Sequence, residues 1–264
     1  MLTIPLQLGV IGAFMAAAML ALWALQIRRR DAGVVDAGWA AGLGLAAIFC
    51  AATAPGDPVR RAIVAALGGV WGLRLAWHIV SDRVLSGKED GRYADLRDRL
   101  GPRLNAFLLF FFQAQALLVA LLAVPFALAA ADPAPAPRAL DVAAVSLWLI
   151  AKAGETIADE QLKAFKRDPA SRGRTCRRGL WRYSRHPNYF FEWLIWCAYA
   201  MLALAAPFGA IALAAPALML LLVLKVTGIP PTERQALKSR GDDYRDYQRT
   251  TSAFFPWFPK KAAR

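Results

Sequence analysis

The sequence predicts an all-α integral membrane protein: a bundle of about seven transmembrane helices, capped on the cytoplasmic side by loops and a C-terminal helix. Two observations carry this reading. Apolar residues make up 58% of the 264-residue chain and are gathered into blocks. Blocks of about 18 or more such residues are long enough to cross the hydrocarbon layer as helices. Charge is segregated as well: 32 Lys and Arg stand against 19 Asp and Glu, a net +13, with the basic residues concentrated in alternate connections. In a soluble chain that balance would suggest nucleic acid. No aromatic-interleaved basic motif accompanies it, and retention of basic loops in the cytoplasm accounts for it. Membrane lipids are therefore the expected surroundings, with no nucleic-acid partner.

The first span, residues 4–27, is long and has no basic segment ahead of it, so it is expected to be retained rather than cleaved as a signal peptide. The second, 34–54, opens on "VVDAGWA" and so carries Asp36 at its start. The third, 62–80, ends in "WGLRLAWHIV", with Arg74 and His78 one turn apart. The remaining spans are expected at 106–131, 140–156, 189–205 and 209–227. The links "APGDPVRR", "ADPAPAPR" and "APFG" have turn chemistry and hold only Arg60, Arg61 and Arg138 as basic residues. On the other side lie "RRR" at 28–30, the 81–105 and 152–187 segments, and the tail after Lys225. That asymmetry predicts an outside N-terminus and an inside C-terminus. Residues 1–264 read as one membrane-embedded domain, with the chemistry concentrated in about 140–264.

Four constellations could carry chemistry. Lys152, Glu155, Asp159, Lys163 and Lys166 are three or four residues apart, so on a helix they share one face. For Lys163 and Lys166, ion pairing on a solvated helix end is an equally simple reading. Glu155 lies near or within the interface, where an ionisable group normally faces a cavity or a partner. The second constellation is "RRGLWRYSRHPNYFFEWLIW": Asn188 and Glu192 are one turn apart, and Pro187 suits a first helical turn. Arg174, Arg177, Arg178, Arg182 and Arg185 crowd ahead of that helix, where its dipole already favours an anion. Membrane anchoring would explain the arginines but not the Asn and Glu. A multiply anionic ligand explains both.

The third constellation is the tail, in which Glu233, Arg234, Lys238, Tyr244 and Tyr247 punctuate a helical pattern that also fits an interfacial amphipathic helix. The fourth is His78 with Asp36: the histidine either hydrogen-bonds within the bundle or donates a proton. No GxGxxG follows a strand, no phosphate-binding loop is present, and no Ser or Cys nucleophile has a base beside it. Two histidines cannot build a histidine-rich di-iron centre, and Cys50, Cys176 and Cys197 have no metal-type spacing, so no metal is expected.

The blocks "GLWRYSRHPNYFFEWLIW" and "GIPPTERQALKSRGDDYRDYQRTTSAFFPWF", with "WGLRLAWHI" and "EDGRYADLR" upstream, resemble the bacterial DUF1295 family. That family groups with the steroid 5α-reductase C-terminal domain and, more distantly, the sterol reductases. The resemblance implies a bacterial cytoplasmic-membrane enzyme that transfers a hydride from NADPH to an activated C=C bond of a lipophilic substrate, in a bundle that excludes water. It places Asn188 and Glu192 at the nicotinamide end. Glu155, Asp159, Lys166, Arg174 and Arg92 fall on polar cofactor positions, Glu155 standing where the steroid reductases have Asn and Lys166 where they have Arg. Arg178, Arg182, Tyr183, Arg185, His186, Tyr189, Glu233, Tyr244 and Tyr247 complete the implied cofactor set, the arginines suiting its phosphates. The steroid enzymes use a tyrosine supported by a glutamate as the acid. Here His78 and Asp36 stand nearest to those positions, which leaves the substrate no narrower than an enone or other activated alkene.

Integral membrane methyltransferases of the isoprenylcysteine and phospholipid type share "RHPxY" and a Glu-bearing tail. S-adenosylmethionine is therefore the alternative cofactor, although those enzymes have Gln and Gly around the Tyr. A lipid-binding scaffold without catalysis is the third reading.

Overall fold

In the computed structural model, which describes residues 1–85 and 91–260, the described residues are helical and turn in character and include no strand. The chain divides into two compact units, Met1–Val142 with Tyr199–Ala215, and Ala143–Ala198 with Pro216–Arg264.

The first unit begins with α1 (Ile4–Arg29), which ends where Arg30 turns into the left-handed region, and α2 (Val34–Thr53). Next comes α3 (Pro58–Ile79), whose start is set by Asp57: its carboxylate accepts from the backbone N–H of Val59 and Arg60, and Pro58 occupies the first turn. The helices α2 and α3 approach so closely that a Cβ at Gly72 would lie 2.5 Å from the backbone nitrogen of Gly44. Small residues provide the close helix–helix contact that lipid cannot drive by the hydrophobic effect. A π-helical turn (Val80–Val84) extends α3, and α4 (Gly91–Leu100) follows. The long apolar block then breaks into α5 (Leu104–Leu122) and α6 (Val124–Ala131), with Pro125 in the first turn of the second piece.

The core of this unit is aromatic. Trp71, fully buried, meets Trp39 and Tyr199 edge-on, and Tyr199 meets Phe126 at 4.8 Å. The Tyr199 hydroxyl donates to the Leu67 carbonyl at 3.1 Å.

Arg60 in this unit is 0% exposed, and each guanidinium nitrogen has a partner. Nε and Nη2 fork onto the Asp141 carboxylate at 3.1 and 2.8 Å, while Nη1 donates to the carbonyls of Asp132 and Ala134. Arg138 bonds the Asp132 side chain as well. A buried charge this fully bonded ties the start of α3 to two segments more than 70 residues further along the chain.

The second unit is built on α7 (Ala139–Arg167) from Ala143 onward, α8 (Pro187–Ala203) up to Ala198, the end of α9 (Ala214–Leu221), and α10 (Ile229–Thr250). Gly241, at φ 53°, breaks α10 into two pieces. Short 3₁₀ turns at Pro169–Ser171 and Gly179–Arg182 lead from α7 to α8.

Among the described residues, five helical stretches are long and apolar enough to cross a membrane: Ile4–Arg29, Val34–Thr53, Pro58–Asp82, Asp95–Ala131 and Gly209–Thr250. The protein is an integral membrane protein of helical type. The last stretch is apolar only up to Val226, and α10 beyond it is amphipathic. The segments expected to span at 140–156 and 189–205 are helical but do not meet the same measure. The former carries Asp141, Lys152 and Glu155, and α8 is only 17 residues long.

Candidate functional site

In the second unit, α7 and α8 meet through a deliberate gap. A Cβ at Gly154 would sit 2.4 Å from the Phe191 ring, so only glycine lets that ring lie against α7. The close approach brings the polar stripe of α7 against the first turns of α8. Asn188 Nδ2 donates to Asp159 Oδ1 at 3.2 Å, and Lys152 Nζ pairs with Glu155 Oε2 at 2.7 Å. Glu192, partly buried, feels the repulsion of Glu155 and Asp159 and the attraction of Lys152. Glu155, Asp159 and Glu192 therefore stand close together beside Lys152. Asn188 Oδ1 is buried and has no hydrogen-bond partner among the described residues. An orphaned buried acceptor costs about 1–3 kcal/mol unless something donates to it. Its chemistry fits a ligand N–H such as a primary carboxamide.

At the C-terminal end of the same helix, Phe165 lines a surface pocket of about 290 Å³ with Asp168, Arg174, Arg177, Arg178 and Asp243. Its floor is held rigidly: Thr175 N–H donates to Asp243 Oδ2 at 2.6 Å, and Arg177 reaches Asp243 and Asp246. Arg174 and Arg178 are exposed, and among the described residues their side chains have no hydrogen bond or ion pair. They are the cations in this pocket available to a ligand anion.

A third cluster closes on itself. Arg185 Nε donates to Glu233 Oε1 at 2.7 Å, and its Nη1 reaches the carbonyls of Gln248 and Thr251. His186 Nε2 lies 3.3 Å from the same carboxylate oxygen, the Tyr244 hydroxyl donates to it, and Gln248 donates to Oε2. Burial alone would raise the Glu233 carboxyl, but the hydrogen bonds from His186 and Arg185 outweigh it and bring the group down to about 2. Burial lowers the His186 imidazole, partly opposed by Glu233. The ring stacks on Tyr189, whose hydroxyl lies 3.2 Å from Thr232 Oγ1. Tyr247 is structural in its bonding: its hydroxyl donates to the carbonyls of Trp181 and Ser184, and burial pushes it above the usual phenol range. The Trp181 indole in turn donates to the Ala158 carbonyl on α7 at 2.8 Å.

A family described as a protein of unknown function, DUF1295, matches residues 22–251 of the chain. The chain belongs to the DUF1295 family. No curated protein and no solved structure matches it.

Every candidate residue of this DUF1295 chain lies inside the matched range, and the structure sorts them into separate groups. Glu155, Asp159, Asn188 and Glu192 gather. Arg174 and Arg178 line the pocket, while Arg185, His186, Glu233 and Tyr244 bond one another. Lys166 is exposed, and Arg182 lines a different surface pocket with Thr250, Thr251 and Pro259. Tyr183 turns its ring edge-on to Phe258 at 6.0 Å. The side chain of Arg92 lies outside the described residues.

In the first unit His78 pairs with Asp82 on its own helix at 3.5 Å and its side chain is 52% exposed. Asp36 accepts from the Tyr93 hydroxyl at 2.9 Å. Tyr93 is the residue that sequence reasoning passed over. Its signal was present: it sits in "EDGRYADLR", and a tyrosine supported by an acid is what the resemblance calls for.

Proposed function

We propose that this protein is an NADPH-dependent reductase of the cytoplasmic membrane, acting on an activated C=C bond of a lipophilic substrate. The orphaned Asn188 Oδ1 carries the reading, because a nicotinamide carboxamide supplies the N–H it needs. Support comes from α7, which bears both the carboxylate cluster and the wall of the arginine pocket. From Glu155 to Phe165 the helix rises roughly 15 Å, so a ligand touching both ends is long, carries an amide at one end and is anionic at the other. Arg174 and Arg178 would hold its phosphates, and Asn188 would orient the ring through Asp159. The Asp159 carboxylate, which accepts from Asn188, would lie near a ring that becomes cationic on oxidation, and a negative charge there favours the oxidised form. NADPH, when bound, supplies the hydride. The basic side is taken as cytoplasmic, where the nucleotide is available.

The test is nucleotide binding by the full chain in mild detergent, read by fluorescence and by analysis of copurified small molecules. NADPH binding that is tighter than NADH binding, and weakened in Asn188→Ala, supports the reductase. Copurified S-adenosylmethionine or its demethylated product would replace it with the methyltransferase. Binding of neither, at saturating concentration, favours the scaffold.

A further inference from the structure

After α10 the chain does not trail off. Residues 252–260 run back along 183–185 as a strap held by the backbone. Arg185 N–H donates to the Ser252 carbonyl at 2.8 Å, Ser184 Oγ to the Phe254 carbonyl at 2.8 Å, and Trp257 N–H to the Tyr183 carbonyl at 2.9 Å. Lys260 N–H closes the strap on the Thr250 carbonyl at 2.8 Å. One face of the strap belongs to the core. Phe254 is buried and meets Phe190 and Trp193 edge-on at 5.7 and 6.0 Å, beside Val223 and Ile229. Among the described residues, its other face is only partly covered. Phe255 is 53% exposed, Trp257 72% and Phe258 76%.

Three large aromatic side chains pointed outward by a pinned backbone need a neighbour other than water. Two further observations say what it is. Phe254 and Phe255 pack against Phe190 and Trp193 in the first two turns of α8, so the strap lies at the level where that helix enters its apolar run. Exposed basic residues flank the patch: Arg182, which shares a pocket of about 330 Å³ with Pro259, and Lys260, with Arg249 close by but paired to Asp246 at 3.2 Å. Aromatic rings at the headgroup level beside cations are the composition of a membrane interface with anionic lipid.

We propose that the strap is a lipid-binding surface. Phe255, Trp257 and Phe258 enter the boundary between headgroups and acyl chains, and Arg182 and Lys260 meet anionic phospholipid headgroups. The inference is independent of the reductase reading.

The test uses the full chain reconstituted into bilayers, with the Trp257 signal taken as wild type minus Trp257→Phe. Substitution at so exposed a position leaves the core intact. Trp257 emission should be blue-shifted, lose most of its intensity to lipids brominated along the acyl chain, and lose little to aqueous acrylamide. Quenching by bromolipid should deepen when phosphatidylglycerol replaces phosphatidylcholine, and Arg182→Gln with Lys260→Gln should reduce that gain. Quenching by acrylamide but not bromolipid would place Trp257 in water and overturn the proposal. Protection from both quenchers would mean that protein covers the strap, and overturns it equally. If inorganic phosphate added to phosphatidylcholine bilayers reproduces the phosphatidylglycerol effect, the cations serve a free anion and the headgroup assignment fails.

Discussion

Two of the buried charge clusters in this molecule are built on opposite principles. Around Arg60 in the first unit, every guanidinium nitrogen of a fully buried cation is matched by a carboxylate or carbonyl. Around Asn188 in the second, Glu155, Asp159 and Glu192 crowd together and a buried amide oxygen has no hydrogen-bond partner among the described residues. A charge buried to hold helices together is saturated by the chain itself. A polar group buried to hold something else leaves part of its bonding capacity open. An orphaned atom alone does not mark a site, since Gln7 and Gln26 in the first unit also bury a side-chain oxygen with no hydrogen-bond partner among the described residues; at Asn188 it coincides with clustered carboxyl groups.

The largest expected effect tests the architectural half. Arg60→Met removes one member of a buried ion cluster and leaves the Asp141 carboxylate without the guanidinium that forks onto it, while Arg138 still holds Asp132. The loss costs about 3–5 kcal/mol. Thermal unfolding in detergent should show a large drop in midpoint. Adding Asp141→Leu should restore part of it, because an apolar pair avoids the unpaired charge. Failure of Arg60→Met to destabilise would remove the contrast on which the comparison rests.

The second prediction tests the open half. Asn188→Ala and Glu192→Gln should each weaken NADPH binding about tenfold or more, on the order of 1.4 kcal/mol, with little change in unfolding temperature. Gly154→Ala should have a similar effect on binding without touching the ligand, by pushing the Phe191 ring away from α7. Phe191→Ala in the same chain should recover part of the loss. A pure stability defect, with unchanged affinity in the fraction still folded, would make the cluster another structural clasp.

The closed cluster around Glu233 gives the comparison a pH axis. Glu233 is depressed from the carboxylate value of 4.5 to about 2. Its contribution to stability is complete above the unfolded value and is lost as pH falls from there toward the folded one. His186 is also lowered, by burial, below its ordinary 6.5. In the window below 6.5 the unfolded chain therefore binds the proton more readily, and stability declines with falling pH there too. Acid should loosen the second unit in two steps, the upper one removed by His186→Gln and the lower by Glu233→Gln. Hydrogen exchange of α10 amides against pH reads both.

Much of this was legible in the chain before any coordinates. The spacing Lys152, Glu155, Asp159 places those residues on one face of a helix, and Asn188 with Glu192 on one face of another; the structure joins the two faces through Asp159 and Asn188. What periodicity cannot say is which distant element a face meets. Arg60 was visible only as one of three basic residues on the sparse side, and its partner Asp141 lies 81 positions away. Arg185, His186 and Glu233 have the composition of an anion site, yet they satisfy one another, because a motif states which groups are present and not where their hydrogen bonds go. Tyr93 was hidden for the converse reason: a single phenol in a charged segment has no pattern until Asp36 is seen to accept from it.

The smallest expected effect is also the most discriminating within the second unit. Arg174 and Arg178 are exposed, so water and salt screen them, and each is worth roughly 0–1 kcal/mol toward an anion. Arg174→Gln or Arg178→Gln should therefore cost only a few-fold in NADPH affinity and should flatten its dependence on ionic strength. Asn188→Ala should leave that salt dependence as it was, because the contact it removes is a hydrogen bond to a buried, uncharged oxygen. Nucleotide titrations at low and high salt across the three variants resolve the two ends of the ligand without a structure of the complex. If the arginine variants lower affinity equally at every salt concentration, the pocket binds through shape rather than charge. The long anionic ligand inferred from α7 would then lose its phosphate end.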